Sequence, residues 1–282
     1  RSSISMPRSR ISLAVTGASV ERAAGAWRCH MLKARILSAL AMAFVLVTVL
    51  FALPPIATLL LLSIVVLVGA WEWSAFIRGS ATAARIAFVA SIALLIGLCW
   101  PLVGRAESLE IVLWCAAAWW VIALLWLTLA PQRVAPWSAA LAGIAALVPT
   151  WLALGHLRLG PEQGAEWTLY ALVLVVAADT GAYFCGRAFG RVKLAPRVSP
   201  GKTWEGVFGG MLLAAVIGAL GVQLFDVPAA VFLPVAIAAA AFSIVGDLTE
   251  SMLKRAAGVK DSGHLFPGHG GILDRVDSVA AG

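Results

Sequence analysis

Residues 55–77 read PIATLLLLSIVVLVGAWEWSAFI, and Glu72 is the one charged residue in this stretch. A helix of about 20 apolar residues crosses the hydrocarbon core of a bilayer, which is about 30 Å thick, so the stretch predicts a membrane-spanning helix. The whole chain has the same character, with 61% hydrophobic residues, 12% charged residues and a mean hydropathy of +0.94. Roughly a quarter of the residues in a soluble domain are charged. A chain with so few charges predicts a polytopic membrane protein.

Eight apolar segments follow one another, and prolines fall at several of the breaks between them. The segments are approximately 36–53, 55–77, 84–103, 109–130, 137–156, 166–185, 204–225 and 228–246. Because backbone polar groups cannot stay unpaired in lipid, each segment is predicted to be a helix. Tryptophans towards the segment ends are predicted to be interfacial anchors: Trp71, Trp73, Trp100, Trp137, Trp151 and Trp167. The predicted fold class is all-α, a polytopic transmembrane protein of about eight helices, with a truncated ninth that begins near Ser278.

The first thirty residues differ from the rest of the chain. They are rich in Ser, Arg, Gly and Ala without sustained periodicity, and Met31 stands just before the first apolar segment. We predict that residues 1–30 are a disordered extension produced by a mis-called start, and that residues 31–282 form one transmembrane domain. The rival interpretation is a targeting presequence, since such segments are also rich in Arg and Ser and poor in acidic residues.

The net charge of +7 suits either nucleic acid or a membrane surface, and its distribution favours the membrane. Basic residues occur in alternate loops: Lys33 and Arg35, Arg78 and Arg85, Arg133, then Arg187, Arg191, Lys193, Arg197 and Lys202, and finally Lys254, Arg255, Lys260 and Arg275. The intervening loops carry only Arg105 and Arg158 or no basic residue. By the positive-inside rule, the 185–203 loop and the residues after Gly246 are predicted to face the cytoplasm. No nucleic-acid partner is predicted. A bacterial inner membrane is the predicted location.

Polar residues are concentrated after the eighth segment. They occur in the stretches 246–255, 260–263 and 267–278. Asp274 and Asp277 are three residues apart, so on a helix they share one face. Paired carboxylates with nearby hydroxyl groups suit Mg²⁺, which prefers oxygen ligands and often bridges to substrate phosphates.

The same region supplies positive charge and glycine. Lys254, Arg255, Lys260 and Arg275 are suited to a triphosphate or a phospholipid headgroup. The run Gly268-His269-Gly270-Gly271 allows backbone to approach a ligand closely. Carboxylates, cations and a glycine turn together indicate metal-assisted phosphoryl or nucleotidyl transfer.

At these residues the chain resembles the phosphatidate cytidylyltransferase (CDP-diacylglycerol synthase) family. The resemblance rests on Ser-x-Leu-Lys-Arg from Ser251, Lys-Asp-Ser-Gly from Lys260 and the run Pro267–Asp277. Two other stretches resemble the same family: Asp179–Tyr183, and Ser199–Gly206, where the family often has Lys in place of Gly201. The resemblance implies transfer of CMP from CTP to phosphatidic acid, giving CDP-diacylglycerol and pyrophosphate. It implies Mg²⁺ as cofactor and CTP, phosphatidic acid and the bilayer as partners. A homodimer is a separate prediction for the assembly.

The resemblance also suggests roles for single residues. Asp247 and Asp274 are the predicted metal ligands, and helix-end capping is the alternative for each. The other predicted catalytic residues are Lys260, Asp261, His269, Arg275 and Asp277. Asp277 would bind metal or orient Arg275, and Asp261 would act in the site or form an ordinary ion pair with Lys260. His269 would serve in acid–base chemistry or only in a turn.

The predicted substrate-binding residues are Asp179, Ser199, Lys202, Thr203, Lys254, Arg255, Gly270 and Gly271. Lys202 and Thr203, at a helix start, suit phosphate binding, while Ser199 could equally be the N-cap. Asp179 is predicted near a helix C-terminus, the unfavourable end of the dipole for a carboxylate. Lys254 and Arg255 would contact CTP phosphates or anionic headgroups.

Two other functions remain open on sequence alone. A CTP-dependent polyprenol or lipid kinase also combines several spans with charged cytoplasmic motifs. A transporter would use intramembrane carboxylates, but the chain shows no convincing internal repeat of the kind that many transporters have.

Overall fold

The computed structural model describes residues 40–77 and 81–259, with the backbone alone at 106–109. The chain divides into two units, residues 1–52 and 53–282. In the first unit, helix α1 spans Leu40–Ala52, and the Thr48 hydroxyl donates a hydrogen bond to the Phe44 carbonyl. This helix is the described part of the predicted segment 36–53. The N-terminal extension, the predicted start at Met31 and the predicted ninth helix lie outside the described residues.

Helices make up nearly all of the described part of the second unit. They are α2 Pro55–Trp73, α3 Thr82–Cys99, α4 Ala106–Leu129, α5 Pro136–Leu159, α6 Gly164–Phe189, α7 Trp204–Phe225 and α8 Ala229–Ala257, with 3-10 turns at Ser74–Phe76 and Trp100–Leu102. Within the described residues, these seven helices are long and apolar enough to cross a membrane. The prediction of an all-α polytopic membrane protein is confirmed.

In the described part of the chain, a short β-hairpin between α6 and α7 interrupts the helices. Strands β1 Lys193–Ala195 and β2 Ser199–Thr203 pair antiparallel. The Glu205 carboxylate accepts hydrogen bonds from the Val192 N–H at 3.1 and 3.3 Å, and the Trp204 N–H donates to the Val192 carbonyl. The hairpin is therefore tied to the first turn of α7.

Two helices extend well beyond their predicted ends. The sixth segment was expected to end at 185, but α6 continues to Phe189. The eighth was expected to end at 246, but α8 continues to Ala257 and ends at Gly258, which adopts a positive φ of 77°. The polar residues 247–255 therefore lie on a helix instead of in a tail. Hydropathy misses such ends because polar residues interrupt the apolar run without interrupting the backbone hydrogen bonds.

The first of two hydrophobic clusters is built from α2, α3 and α5, with contributions from α4 and α8. Trp73 and Trp151 are buried in it, so the prediction that they are interfacial anchors is wrong. Their indole N–H groups donate hydrogen bonds inside the protein, Trp73 to the Ala139 carbonyl and Trp151 to the Ser63 hydroxyl. A buried indole N–H needs such a partner, so these polar contacts fix how the helices pack.

The second cluster joins α6, α7 and α8 through small side chains: Leu174, Ala178, Ala214, Ala236 and Ala240. Glycines bring α6 and α7 into backbone contact. A Cβ atom on Gly181 would lie 2.6 Å from the Gly209 carbonyl oxygen, and one on Gly209 would collide with the Cys185 side chain. Small residues of this kind allow membrane helices to pack closely.

We expect Gly209→Ala to lower the melting temperature of the detergent-solubilised protein. The added methyl group would lie 2.8 Å from the Gly181 carbonyl oxygen and would push α6 away from α7. Overpacking costs about 1–3 kcal/mol, more than the gain of up to about 1 kcal/mol in helix propensity. Gly97→Ala on α3 is the matched control, because outside the backbone of its own helix no atom lies within 4 Å of the new methyl group. Equal melting temperatures for the two variants would contradict the proposed role of this contact.

Candidate active site

One cavity of about 570 Å³ lies between α6, the hairpin, the start of α7 and α8. It is lined by Asp179, Ala182, Tyr183, Gly186, Arg187, Leu194, Ser199, Gly201, Lys202, Thr203, Gly206, Val207, Ile244 and Asp247. Five of the predicted site residues are among them: Asp179, Ser199, Lys202, Thr203 and Asp247. They come from three separate stretches of sequence, and the fold brings them to one place.

The hairpin and α7 meet at Thr203. Thr203 is the N-cap of α7, and its hydroxyl accepts a hydrogen bond from the Gly206 N–H at 3.2 Å. The prediction that Lys202 and Thr203 stand at a helix start is confirmed. The alternative for Ser199 is wrong, since Ser199 opens β2 instead of capping the helix. The N-terminus of α7, with its positive end of the helix dipole, borders the cavity.

Glycines on α6 and α7 make room for this junction. A Cβ on Gly186 would lie 3.1 Å from the Thr203 hydroxyl oxygen, and one on Gly206 would lie 2.9 Å from the Ala182 carbonyl oxygen. Thr203 itself is buried. The N-cap therefore lies directly against α6, the helix that carries Asp179.

Asp247 lies inside α8, so the alternative that it caps a helix end is wrong. Its Oδ2 forms an ion pair with the Lys202 ammonium, and the Ser251 hydroxyl donates a 3.4 Å hydrogen bond to Oδ1. The Lys202 and Asp247 side chains are 25% and 26% exposed. This half-buried pair links β2 to α8 across the cavity.

Asp179 occupies the middle of α6 instead of its end, because the helix runs on to Phe189. The expected conflict with the helix dipole is therefore absent, since the dipole acts within the last turn. Tyr183 and Arg187 follow Asp179 at intervals of four residues and also line the cavity. They were not predicted as site residues, although a count of i, i+4 positions from Asp179 would have found them.

The structure does not place Lys254 and Arg255 in the lining of the cavity. Lys254 forms an ion pair with Glu250 at 2.6 Å, and the two side chains are only 11% and 3% exposed. Arg255 is exposed at the end of α8. Glu72, the intramembrane acid of α2, is buried and does not line the cavity either.

The remaining predicted site residues lie outside the described part of the chain. They are Lys260, Asp261, His269, Gly270, Gly271, Asp274, Arg275 and Asp277. Their roles stay predictions. Among residues 40–77 and 81–259, no three His, Cys, Asp or Glu side chains meet as a metal site. The carboxylates of Asp179 and Asp247 both line the cavity and are oxygen ligands that could bind a metal ion.

We expect Lys202→Met to destabilise the protein, because it leaves the Asp247 carboxylate without its ammonium partner. The loss in free energy of unfolding should exceed that of an exposed ion pair, about 0–1 kcal/mol, and stay below that of a buried one, about 3–5 kcal/mol. Thermal unfolding in detergent would measure it, alone and combined with Asp247→Asn. The double variant should recover part of the loss. Strictly additive effects would show that the two side chains do not interact.

The chain matches known proteins over most of its length. The cytidylyltransferase family model matches residues 33–282. Phosphatidate cytidylyltransferase of Haemophilus influenzae is 39% identical over 276 residues, covering 89% of this chain and 96% of the relative. That of Pseudomonas aeruginosa is 40% identical over 258 residues, covering 89% and 94%, and that of Bacillus subtilis is 44% identical over 119 residues, covering 42% and 44%. Since the family match covers most of the chain, this protein belongs to the cytidylyltransferase family.

Proposed function

We propose that this protein is a phosphatidate cytidylyltransferase, which transfers CMP from CTP to phosphatidic acid and releases pyrophosphate. The observation that carries the proposal is the cavity where Asp179, Lys202, Thr203 and Asp247 meet, between the hairpin and three membrane-spanning helices. A nucleotide comes from water and phosphatidic acid comes from the bilayer. A polar cavity beside the boundary of the membrane is accessible to both.

The start of α7 is the part of the cavity best suited to the nucleotide phosphates. Helix N-termini bind anions through free N–H groups and the dipole. Lys202 adds a positive charge directly before the helix, and its ammonium is held in the cavity by Asp247. Gly201 also lines the cavity, and the space beside it is open for 4 Å around a Cβ position. These features fit a triphosphate close to the backbone of residues 201–206.

Mg²⁺ is the cofactor we propose for this site. Carboxylate oxygens are its preferred protein ligands, and it usually keeps water and substrate phosphate oxygens in its remaining positions. Asp247 and Asp179 offer such oxygens, and Asp274 is the further predicted ligand. When bound, Mg²⁺ would supply positive charge that neutralises the triphosphate.

The proposed reaction is a single in-line displacement. A phosphate oxygen of phosphatidic acid forms a bond to the α-phosphorus of CTP, and the bond from that phosphorus to the bridging oxygen of the β-phosphate breaks. Pyrophosphate leaves with the electron pair of that bond. The Lys202 ammonium and the N–H groups at the start of α7 would hold the phosphates, so that their negative charge is stabilised during the transfer.

We further propose a bacterial inner membrane with the cavity on the cytoplasmic side. Support comes from the basic 185–203 loop, which includes the hairpin, and from the bacterial source of the relatives named above. CTP is available on that side. The homodimer also stays a prediction.

Labelled CTP tests the reaction and separates it from the kinase alternative. Purified protein supplied with phosphatidic acid, Mg²⁺ and CTP labelled at the α-phosphorus should produce labelled lipid and unlabelled pyrophosphate. Label from the γ-phosphorus should stay in water. Label reaching lipid from the γ-position would mean a kinase, and no transfer from either position by folded protein would falsify the proposal.

We expect Asp247→Asn to lower turnover at least about a hundredfold, since metal charge stabilisation is worth several kcal/mol in the transition state. Initial rates of pyrophosphate release would measure the loss, with thermal unfolding as the check on folding. Asp226→Asn is the matched control, because this aspartate caps the opposite end of α7 at a φ of 49°, which asparagine tolerates. Near-normal turnover in Asp247→Asn would remove the proposed metal role.

A further inference from the structure

Arg187 stands apart from the other charged residues that line the cavity. Among the described residues these are Asp179, Arg187, Lys202 and Asp247. Lys202 and Asp247 neutralise one another in an ion pair. No carboxylate in residues 81–259 forms an ion pair with Arg187, whose side chain is exposed. Within the described chain, the guanidinium is therefore a cation that an arriving anion can bind without first breaking an ion pair.

Tyr183 fixes the direction of the Arg187 side chain. The Nη1 group of Arg187 donates a 2.9 Å hydrogen bond to the Tyr183 hydroxyl one helical turn earlier. A guanidinium has five N–H donors in a planar fork, so four remain after this contact. Two parallel donors of such a fork match two oxygens of a phosphate group.

The position of Arg187 along α6 distinguishes it from Asp179. At about 1.5 Å per residue, Asp179 lies about 22 Å and Arg187 about 34 Å along the axis from Gly164. The hydrocarbon core is about 30 Å thick and the headgroup layers follow directly outside it. A helix that starts at one boundary therefore brings Arg187 to the level of the lipid phosphates on the other side, while Asp179 lies deeper.

We infer that Arg187, oriented by Tyr183, binds the phosphate of the lipid substrate, while Lys202 and the start of α7 serve the nucleotide. This inference rests on the proposed function and divides its cavity into two anion sites. Arg187 belongs to the outer one, at headgroup level. When the Arg187 guanidinium binds two oxygens of the lipid phosphate, the third oxygen is free to attack the nucleotide.

Separate Michaelis constants for the two substrates test the inference. In mixed micelles, Arg187→Gln should raise the KM for phosphatidic acid about 10- to 100-fold, the range for a lost charge-assisted hydrogen bond, and leave the KM for CTP unchanged. Arg187→Lys keeps the charge but loses the planar fork of donors. Its KM for phosphatidic acid should therefore lie between the values of the wild type and of Arg187→Gln. Tyr183→Phe should raise the same constant by a smaller factor. Arg197→Gln, which removes an exposed charge in the hairpin turn away from the cavity, is the matched control.

A short-chain phosphatidic acid, dissolved below its micelle concentration, separates headgroup binding from general attraction to an anionic surface. The effect of Arg187→Gln should persist with this soluble substrate. If it vanishes, or if the KM for CTP rises instead, the inference is wrong. Wild-type protein that makes no CDP-lipid would overturn the proposed function itself. An active wild type with an unchanged lipid KM in Arg187→Gln would overturn only the role of Arg187.

Discussion

The close approach of α6 and α7 is the constraint on which the site depends. Gly181 and Gly209 allow backbone of one helix to lie against the other, since a single Cβ at either position would collide. The same approach seats Thr203 beside Gly186, and Thr203 begins α7. Because the hydrophobic effect does not hold helices together in lipid, their association depends on tight packing and hydrogen bonds. The contact between α6 and α7 sets the distance between the two helices. It therefore brings the polar residues of the hairpin to the side of α6 that carries Asp179.

Helix α8 forms another wall of the cavity and is held in place by different contacts. Helix α8 contributes Ala236 and Ala240 to the small-residue cluster and Val245 and Leu253 to the larger cluster of α2, α3 and α5. It thus packs against one cluster in its first half and against the other in its second half. Asp247 projects from a helix that two groups of neighbours hold in place, and the ion pair with Lys202 then joins that helix to the hairpin. The packing of α8 therefore positions the polar contact.

Sequence patterns predicted the membrane class, the order of spans and the stretches that carry the polar site. They failed where local signals stop being informative. The ends of α6 and α8 were missed because polar residues such as Asp247 do not end a helix that keeps its hydrogen bonds. Trp151 was taken for an anchor because composition cannot show that Ser63, far away in sequence, accepts its N–H. The pairing of Lys202 with Asp247 likewise depends on tertiary packing, and only the periodicity of α6 could have pointed to Arg187.

The buried pair of Glu250 and Lys254 has a consequence for how this protein can change over time. Each side chain lies almost wholly inside the protein, and each compensates the other's charge. Removing one partner of a buried pair costs about 3–5 kcal/mol, while replacing both by apolar residues is often neutral. Descendants of this sequence can therefore lose the pair in two steps only by passing through a weakened intermediate. The two positions are expected to be inherited together.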